Sequence, residues 1–383
     1  MNRLFKRPAG FNSKIIIVVV AIAAAVAIFF GLRAEKKEPI KIGAILSISG
    51  PGSHVGEEVR NGLLLAVDEI NSWGGINGRK LALIIGDSET NPQQGQEVLK
   101  KIEQAHHPLL YVSDLGAVSM ALVSLSGENR VVITGLVVTA PKFTAQNEWI
   151  FRYWPTAKAE IEPILHILQA LDIKKLGLLY VNNVFGRSVY GLLKKGFERP
   201  GRMVRGESFD LKGANLRQRM EKLNDTEGIY IVGYPVHTMN AIKMLRGAGF
   251  GGFILSTQGG VIPEIISLPE ANGLYAAAPI IYNPNYLFAK EAKEKYKARY
   301  TKPFNHFAAN GYDFIKLLAS LLEDKTISRK GVKSLLEGGF IYHGVFGDLD
   351  VEPGKHDIIF PLHPARIVDG EVKYLHRIFS IED

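Results

Sequence analysis

The chain has 383 residues, 46% of them hydrophobic, with 46 Lys and Arg against 38 Asp and Glu and no cysteine. The lack of cysteine excludes disulfides, thiolate metal sites, a cysteine nucleophile and lipid attachment through an N-terminal cysteine. The net charge of +8 does not mark a nucleic-acid binder: Arg3, Lys6, Arg7, Lys14 and Arg33 lie in or beside the N-terminal segment, and no basic stripe with interleaved aromatics follows.

The length exceeds what one core usually serves, which predicts two lobes. Residues 1–14 are basic, 15–32 form an apolar run, and 33–39 are a charged tether. As a helix the run spans roughly 27 Å, close to a hydrocarbon core. It reads as a secretion signal, a membrane anchor, or both, and the basic flank keeps the N-terminus in the cytoplasm while the rest is exported.

The remainder alternates strand and helix patterns. Residues 41–46 read as a buried strand, 47–53 as a Ser/Gly/Pro loop and 55–72 as a helix, with Val59, Leu63, Ala66, Val67 and Ile70 on one apolar face. Gly74-Gly75 stops that helix, Asn77-Gly78 is a turn pair, and 81–85 is a second strand. In such a βαβ unit, ligands bind at the loop following the carboxyl end of the first strand. A helix over 92–106 opens on Pro92. His106-His107 at its end is read as a solvated terminus rather than a metal pair, because adjacent helical residues point in different directions. Strands at 109–112 and 131–134 deliver the loops 113–119 and 135–141. Residues 148–154 read as the strand leaving the first lobe, and 156–171 as the first helix of the second. Further strands are expected at 175–180, 204–209, 228–232, 252–256 and 274–278, with helices over 211–223 and 238–247. Helices over 286–300, 307–322 and 328–336 follow, the last capped by Ser328, and then strands within 358–379.

Lys41-Ile42-Gly43, Leu46-Ser47-x-Ser49-Gly50-Pro51, Gly56, Gly62, Ala66-Val67-x-Glu69-Ile70-Asn71, Gly74-Gly75-Ile76-Asn77-Gly78-Arg79-Lys80-Leu81 and Asp87 form one ordered pattern. It resembles the start of the periplasmic solute-binding proteins of the branched-chain amino-acid (leucine/isoleucine/valine) type, the substrate receptors of a class of ABC importers. The similarity extends more thinly to Asp383. It implies the type I periplasmic-binding-protein fold: an α/β chain of two Rossmann-like lobes with three hinge crossovers, here preceded by an N-terminal transmembrane or signal segment. Lobe 1 is then expected to comprise 40–154 plus 279–350, and lobe 2 155–278 plus 351–383, with the third crossing near 344–350. The implied partners are a small-molecule ligand and ABC permease subunits, with membrane contact through the N-terminal helix and no cofactor.

The resemblance also implies site residues. In the family, the loop after the third strand supplies hydroxyls and free backbone N–H groups, and the loop after the fourth ends in an Ala-Thr-Ala-Pro-like segment. Together they hold the ligand's carboxylate. Here Val138-Thr139-Ala140-Pro141 keeps the second loop, with Thr139 at the hydroxyl position. In the first, Ala117 and Val118 stand where the family has serines, and Ser119 lies one position further. Phe185-Gly186 matches a Tyr-Gly pair whose aromatic closes over the ligand; the other reading of Phe185 is a capping contact on its own helix. Tyr234 matches a second ligand-facing aromatic. Where relatives pair the ligand's ammonium with an acid, this chain offers Gln258 or Gly259, and Glu264 falls one turn into the next helix. The expected contacts are Ser49, Thr139, Phe185, Tyr234 and Gln258, with backbone donors near Ala117. A buried ammonium with no carboxylate partner is expensive. The departures therefore point to an amide or an organic acid rather than a standard α-amino acid, or to a pocket that no longer binds.

No G-x-S-x-G, H-E-x-x-H or Walker A motif is present, so a hydrolase reading has no nucleophile to rest on. The expected function is that of a non-enzymatic receptor in the periplasm or on the outer face of the cytoplasmic membrane. It closes by hinge bending and hands its ligand to ABC permease subunits. The alternative is a membrane-tethered ligand sensor with the same fold.

Overall fold

The computed structural model describes residues 37–281 and 287–375. The expectations for 1–14, 15–32 and the start of the tether lie outside the described residues, as do the predicted element ends at 286 and 376–379. Residues up to Pro39 form a unit separate from Ile40–Asp383. Among the described residues, no helix is long and apolar enough to cross a membrane.

The chain opens with β1 (Ile40–Leu46), α1 (Ser53–Ser72), β2 (Leu81–Asp87), α2 (Pro92–His106) and β3 (Leu110–Ser113). Next come α3 (Gly116–Ala121), α4 (Val123–Asn129), β4 (Ile133–Gly135) and β5 (Ile150–Tyr153). A second stretch begins with α5 (Ala157–Ala170) and continues through β6 (Lys175–Val181), α6 (Val184–Phe197), β7 (Met203–Phe209) and α7 (Leu216–Glu221). It goes on with β8 (Gly228–Val232), α8 (Pro235–Gly247), β9 (Phe253–Ser256), α9 (Pro263–Ile266) and β10 (Tyr275–Ala278). Then follow α10 (Leu287–Tyr300), α11 (His306–Leu322), α12 (Arg329–Glu337), the hairpin β11 (Phe340–Gly344) and β12 (Gly347–Val351), and the short β13 (Asp357–Ile358). Strands β14 (His363–Val368) and β15 (Glu371–Tyr374) end the described chain.

These strands form two large sheets. The first runs β13-β5-β4-β3-β1-β2, all parallel. The second runs β15-β14-β10-β9-β8-β6-β7, with only the β14 and β15 pairings antiparallel. The side-chain period of two sorts β1 between two cores. Ile42, Ala44 and Leu46 join the cluster that includes α1 and α11, whereas Ile45 joins Leu99, Val118 and Leu122 of the helices on the opposite face. Gly43 leaves room for the Tyr111 ring, which a Cβ there would meet at 2.3 Å. The second sheet is covered likewise: Leu176 and Leu178 pack with α5 and α6, and Leu179 and Val181 face the cluster containing α7 and α8 residues.

The last crossing lies later than the sequence suggested. Residues 344–350 belong to the β11–β12 hairpin, and β13 pairs in parallel with β5, Asp357 opposite Arg152 and Ile358 opposite Tyr153. Residues 357–358 are therefore a strand of the first sheet, and the chain passes to the second sheet only between Ile358 and His363. An ion pair explains the anchoring: the buried Arg152 Nε lies 2.9 Å from Asp357 Oδ1. The helix expected over 211–223 shrinks to α7. Gly213 sits at φ +73°, and the Asp210 carboxylate accepts from the Ala214 and Asn215 N–H groups, so the chain turns before it coils. Conversely α8 starts three residues earlier than expected, with Pro235 in its first turn.

Candidate functional site

A cavity lies where the carboxyl ends of the two sheets face each other; it holds about 470 Å³ of empty space, counting the open solvent at its mouth. Its walls come from residues that follow β3, β4 and β5 in the first sheet and β6, β8 and β9 in the second. The position is the one favoured for ligands in open α/β sheets.

Four of the six residues named from the sequence meet there: Thr139, Phe185, Tyr234 and Gln258. The Thr139 backbone carbonyl also accepts from the Ala157 N–H, tying its loop to the start of α5. Phe185 and Tyr234 lie with parallel rings 6.5 Å apart. Asn183 organises this corner. It caps α6 by accepting from the Gly186 N–H, and it donates to the Tyr234 hydroxyl at 3.1 Å. Gly186 has a steric reason of its own, since a Cβ would lie 1.9 Å from the Val181 carbonyl oxygen.

Ser49 and Ala117 are not in the wall. The Ser49 hydroxyl donates to Asp87 at 2.7 Å, and the same carboxylate accepts from the Ile48, Ser49 and Glu89 N–H groups. Ser49 is thus committed to shaping its own loop, and Thr139 is the only one of the six that supplies a hydroxyl from the first lobe. In the loop after β3, the wall is made by Leu115 and Gly116, the two residues immediately before Ala117. Leu115 sits at φ +53°, a region that favours glycine. Ser119 turns inward, bonding the Ser113 hydroxyl and the Asp114 carbonyl.

The expectation of a pocket without a carboxylate is overturned by Glu160, in the first turn of α5. It is 1% exposed. One oxygen accepts from the Gln258 N–H at 3.0 Å; the other has no hydrogen-bond partner. Burial, only partly offset by that bond, pushes the carboxyl up to about 7. The signal was present in the sequence: Glu160 shares the apolar face of α5 with Ala157 and Ile164, an unusual place for an acid. Asp114, behind the loop after β3, is likewise pushed up to about 7 by burial, against bonds from the Ser47 N–H and hydroxyl at 2.9 Å. Trp154 and Phe307, with parallel-tilted rings 5.8 Å apart, complete the apolar floor and were not foreseen. Among the described residues, no Lys or Arg lines the cavity. Among the described residues, no group of three His, Asp or Glu is placed to hold a metal.

His54 of α1 and Glu264 of α9 approach to 3.4 Å across the cleft, outside the cavity wall. Pairs this exposed contribute at most about 1 kcal/mol. Glu264→Gln is therefore expected to weaken binding of any cavity ligand by only about two- to five-fold. A loss of tenfold or more by calorimetry would mean that Glu264 touches the ligand.

Comparison with known proteins agrees with this architecture. A family model described as periplasmic binding protein matches residues 39–371. Leu/Ile/Val-binding protein homolog 3 of Brucella melitensis is 24% identical over 310 residues, covering 79% of this chain and 83% of that protein. The branched-chain amino acid transporter substrate-binding protein LivJ of Streptococcus pneumoniae, solved with isoleucine, superposes with a TM-score of 0.79 at 20% identity, covering 88% of this chain and 98% of its own. A solute-binding protein of an ABC transporter from R. palustris, solved with benzoate, gives a TM-score of 0.80 at 17% identity, with 88% and 95% covered. The two structures share the two-lobe type I periplasmic binding fold with this chain. Because that match covers most of the chain, the chain belongs to the periplasmic binding protein family.

Proposed function

We propose that the protein is an extracytoplasmic solute receptor that closes on a small ligand and delivers it to the permease subunits of an ABC importer. The observation that carries this reading is a cavity walled by both lobes, because such a cavity couples occupancy to closure. A ligand that touches both walls binds the closed form better, and only that difference shifts the population. The three connections act as the hinge. The N-terminal run at 15–32 exports the receptor, and either is removed or tethers it beside its transporter.

The ligand is compact, with an apolar body held by Trp154, Phe185, Tyr234 and Phe307. The relatives solved with isoleucine and benzoate hold ligands of this kind. We place it outside the standard α-amino acids, because Ala117 and Val118 offer no side-chain hydroxyl for a carboxylate and no described lining residue is cationic. The test is a thermal-shift panel on the full-length protein with amino acids, amides, aromatic and aliphatic acids, sugars and polyamines. A ligand at about 100 times its Kd is expected to stabilise the fold by roughly 2.7 kcal/mol. Silence across the panel from a folded sample would sink the receptor reading, and a strong hit on leucine would sink the exclusion of α-amino acids.

A further inference from the structure

The cavity has a polarity that its walls do not balance. Glu160 Oε2 and Gln258 Oε1 are both buried and have no hydrogen-bond partner, and both residues line the same cavity. The two residues are joined through the bond from the Gln258 N–H to Glu160 Oε1. Gln258 is 3% exposed and Glu160 1%, so water at the surface does not satisfy them. Buried acceptors without donors are rare and costly in native proteins. Opposite them, the first lobe contributes Val55, Leu115 and Val137, and among the described residues Thr139 is its one hydroxyl in the wall.

From these two orphan acceptors we infer that the ligand's polar head is a nitrogen-bearing N–H donor, an ammonium or a primary amide, held by Glu160 and Gln258. Glu160 and not the loop after β9 alone is then the residue that sets head-group specificity. An ammonium or an amide NH2 carries more than one N–H and so has enough donors to serve both oxygens. A carboxylate head would find no Lys or Arg among the described lining residues, and Glu160 repels it wherever that group is ionised. The inference rests on the receptor reading above, since it assigns the head group of that receptor's ligand.

The test uses matched compounds that differ only in the head: phenylacetamide, 2-phenylethylamine and phenylacetate, and the aliphatic set valeramide, pentylamine and valerate. Binding to full-length protein is measured by calorimetry. In at least one set, the amide or the amine is expected to bind at least about 10-fold tighter than the acid. Whether amide or amine binds tighter identifies the head. Glu160→Gln is expected to erase most of that preference, and Gln258→Leu part of it. The inference is overturned if the acid binds as tightly as its nitrogen partners, or if Glu160→Gln folds and leaves the preference intact. It is also overturned if both sets are silent while another compound class of the wider panel binds, an outcome that leaves the receptor reading standing. Silence of every compound overturns both. Should Glu160→Gln fail to fold, the wild-type comparison within each set decides alone.

Discussion

Gly62→Ala is expected to lower the stability of the protein by about 2–3 kcal/mol, and Gly62→Val by more, because α1 and α11 pack backbone to backbone there. At Gly62 an added Cβ would stand 1.9 Å from the Ala308 carbonyl oxygen and 2.9 Å from the Tyr312 nitrogen. At Gly311 it would stand 2.4 Å from the Val59 carbonyl oxygen. Each helix thus presents a glycine to the other's backbone. Backbone cannot rotate out of the way as a side chain does, so the helices must separate. That separation would loosen the contacts of Val59 and Leu63 with Tyr312 and Ile315 in the main core cluster. Helix propensity works the other way, since alanine is favoured over glycine by about 1 kcal/mol in a helix interior. Gly191 in α6 supplies the control: it is exposed, and a Cβ there meets nothing within 4 Å. Gly191→Ala is expected to raise stability by up to about 1 kcal/mol. Denaturant unfolding of both variants measures the difference in sign. A Gly62→Ala protein as stable as the wild type would refute the close helix crossing.

Glu160→Gln is expected to do the opposite, and only at high pH. In the folded chain, burial moves the Glu160 carboxyl from its ordinary 4.5 up to about 7. The folded state therefore holds this proton more tightly than the unfolded state. Its contribution is fully present below pH 4.5 and is lost as pH rises through about 7. Above that, the ionised group costs the ligand-free fold about 3 kcal/mol, the shift expressed as free energy. Glutamine has nothing to ionise and keeps a carbonyl oxygen to accept the Gln258 N–H. The variant is expected to be about 3 kcal/mol more stable than the wild type at pH 8 and nearly equal to it at pH 4. Unfolding midpoints at the two pH values check this; a difference independent of pH would mean that Glu160 is solvated in the free protein. A gain in stability bought by a loss of ligand affinity is the pattern of a residue kept for function.

The first lobe was legible from the chain because its signals are local. The period of α1 put Val59, Leu63, Ala66, Val67 and Ile70 on one face, and all five are buried. Asn91, which accepts from the Gln93 and Gln94 N–H groups, and Pro92 mark the start of α2 where the sequence placed it. Ser328 caps α12 by accepting from the Gly331 N–H, as expected. The helix over 211–223 misled because its apolar spacing is real, while the Asp210 carboxylate and the left-handed Gly213 cut off its first turn. For the site, the loops after β4, β6, β8 and β9 carried recognisable residues, and Thr139, Phe185, Tyr234 and Gln258 converge there. Ser49 did not, because its hydroxyl found Asp87, 38 residues away.

What the sequence determined by itself is whatever depends on near neighbours in the chain: period, caps, turns, the order of strands and helices, and the family pattern they spell. What only the tertiary structure decided is which distant polar groups meet. β13 joins the first sheet because Asp357 reaches Arg152. The cavity has a carboxylate because Glu160 lies within 3.0 Å of the Gln258 nitrogen, 98 residues along the chain. Composition and spacing do not encode such meetings, because the low-dielectric interior that gives an unpaired oxygen its energetic weight exists only after the lobes have folded.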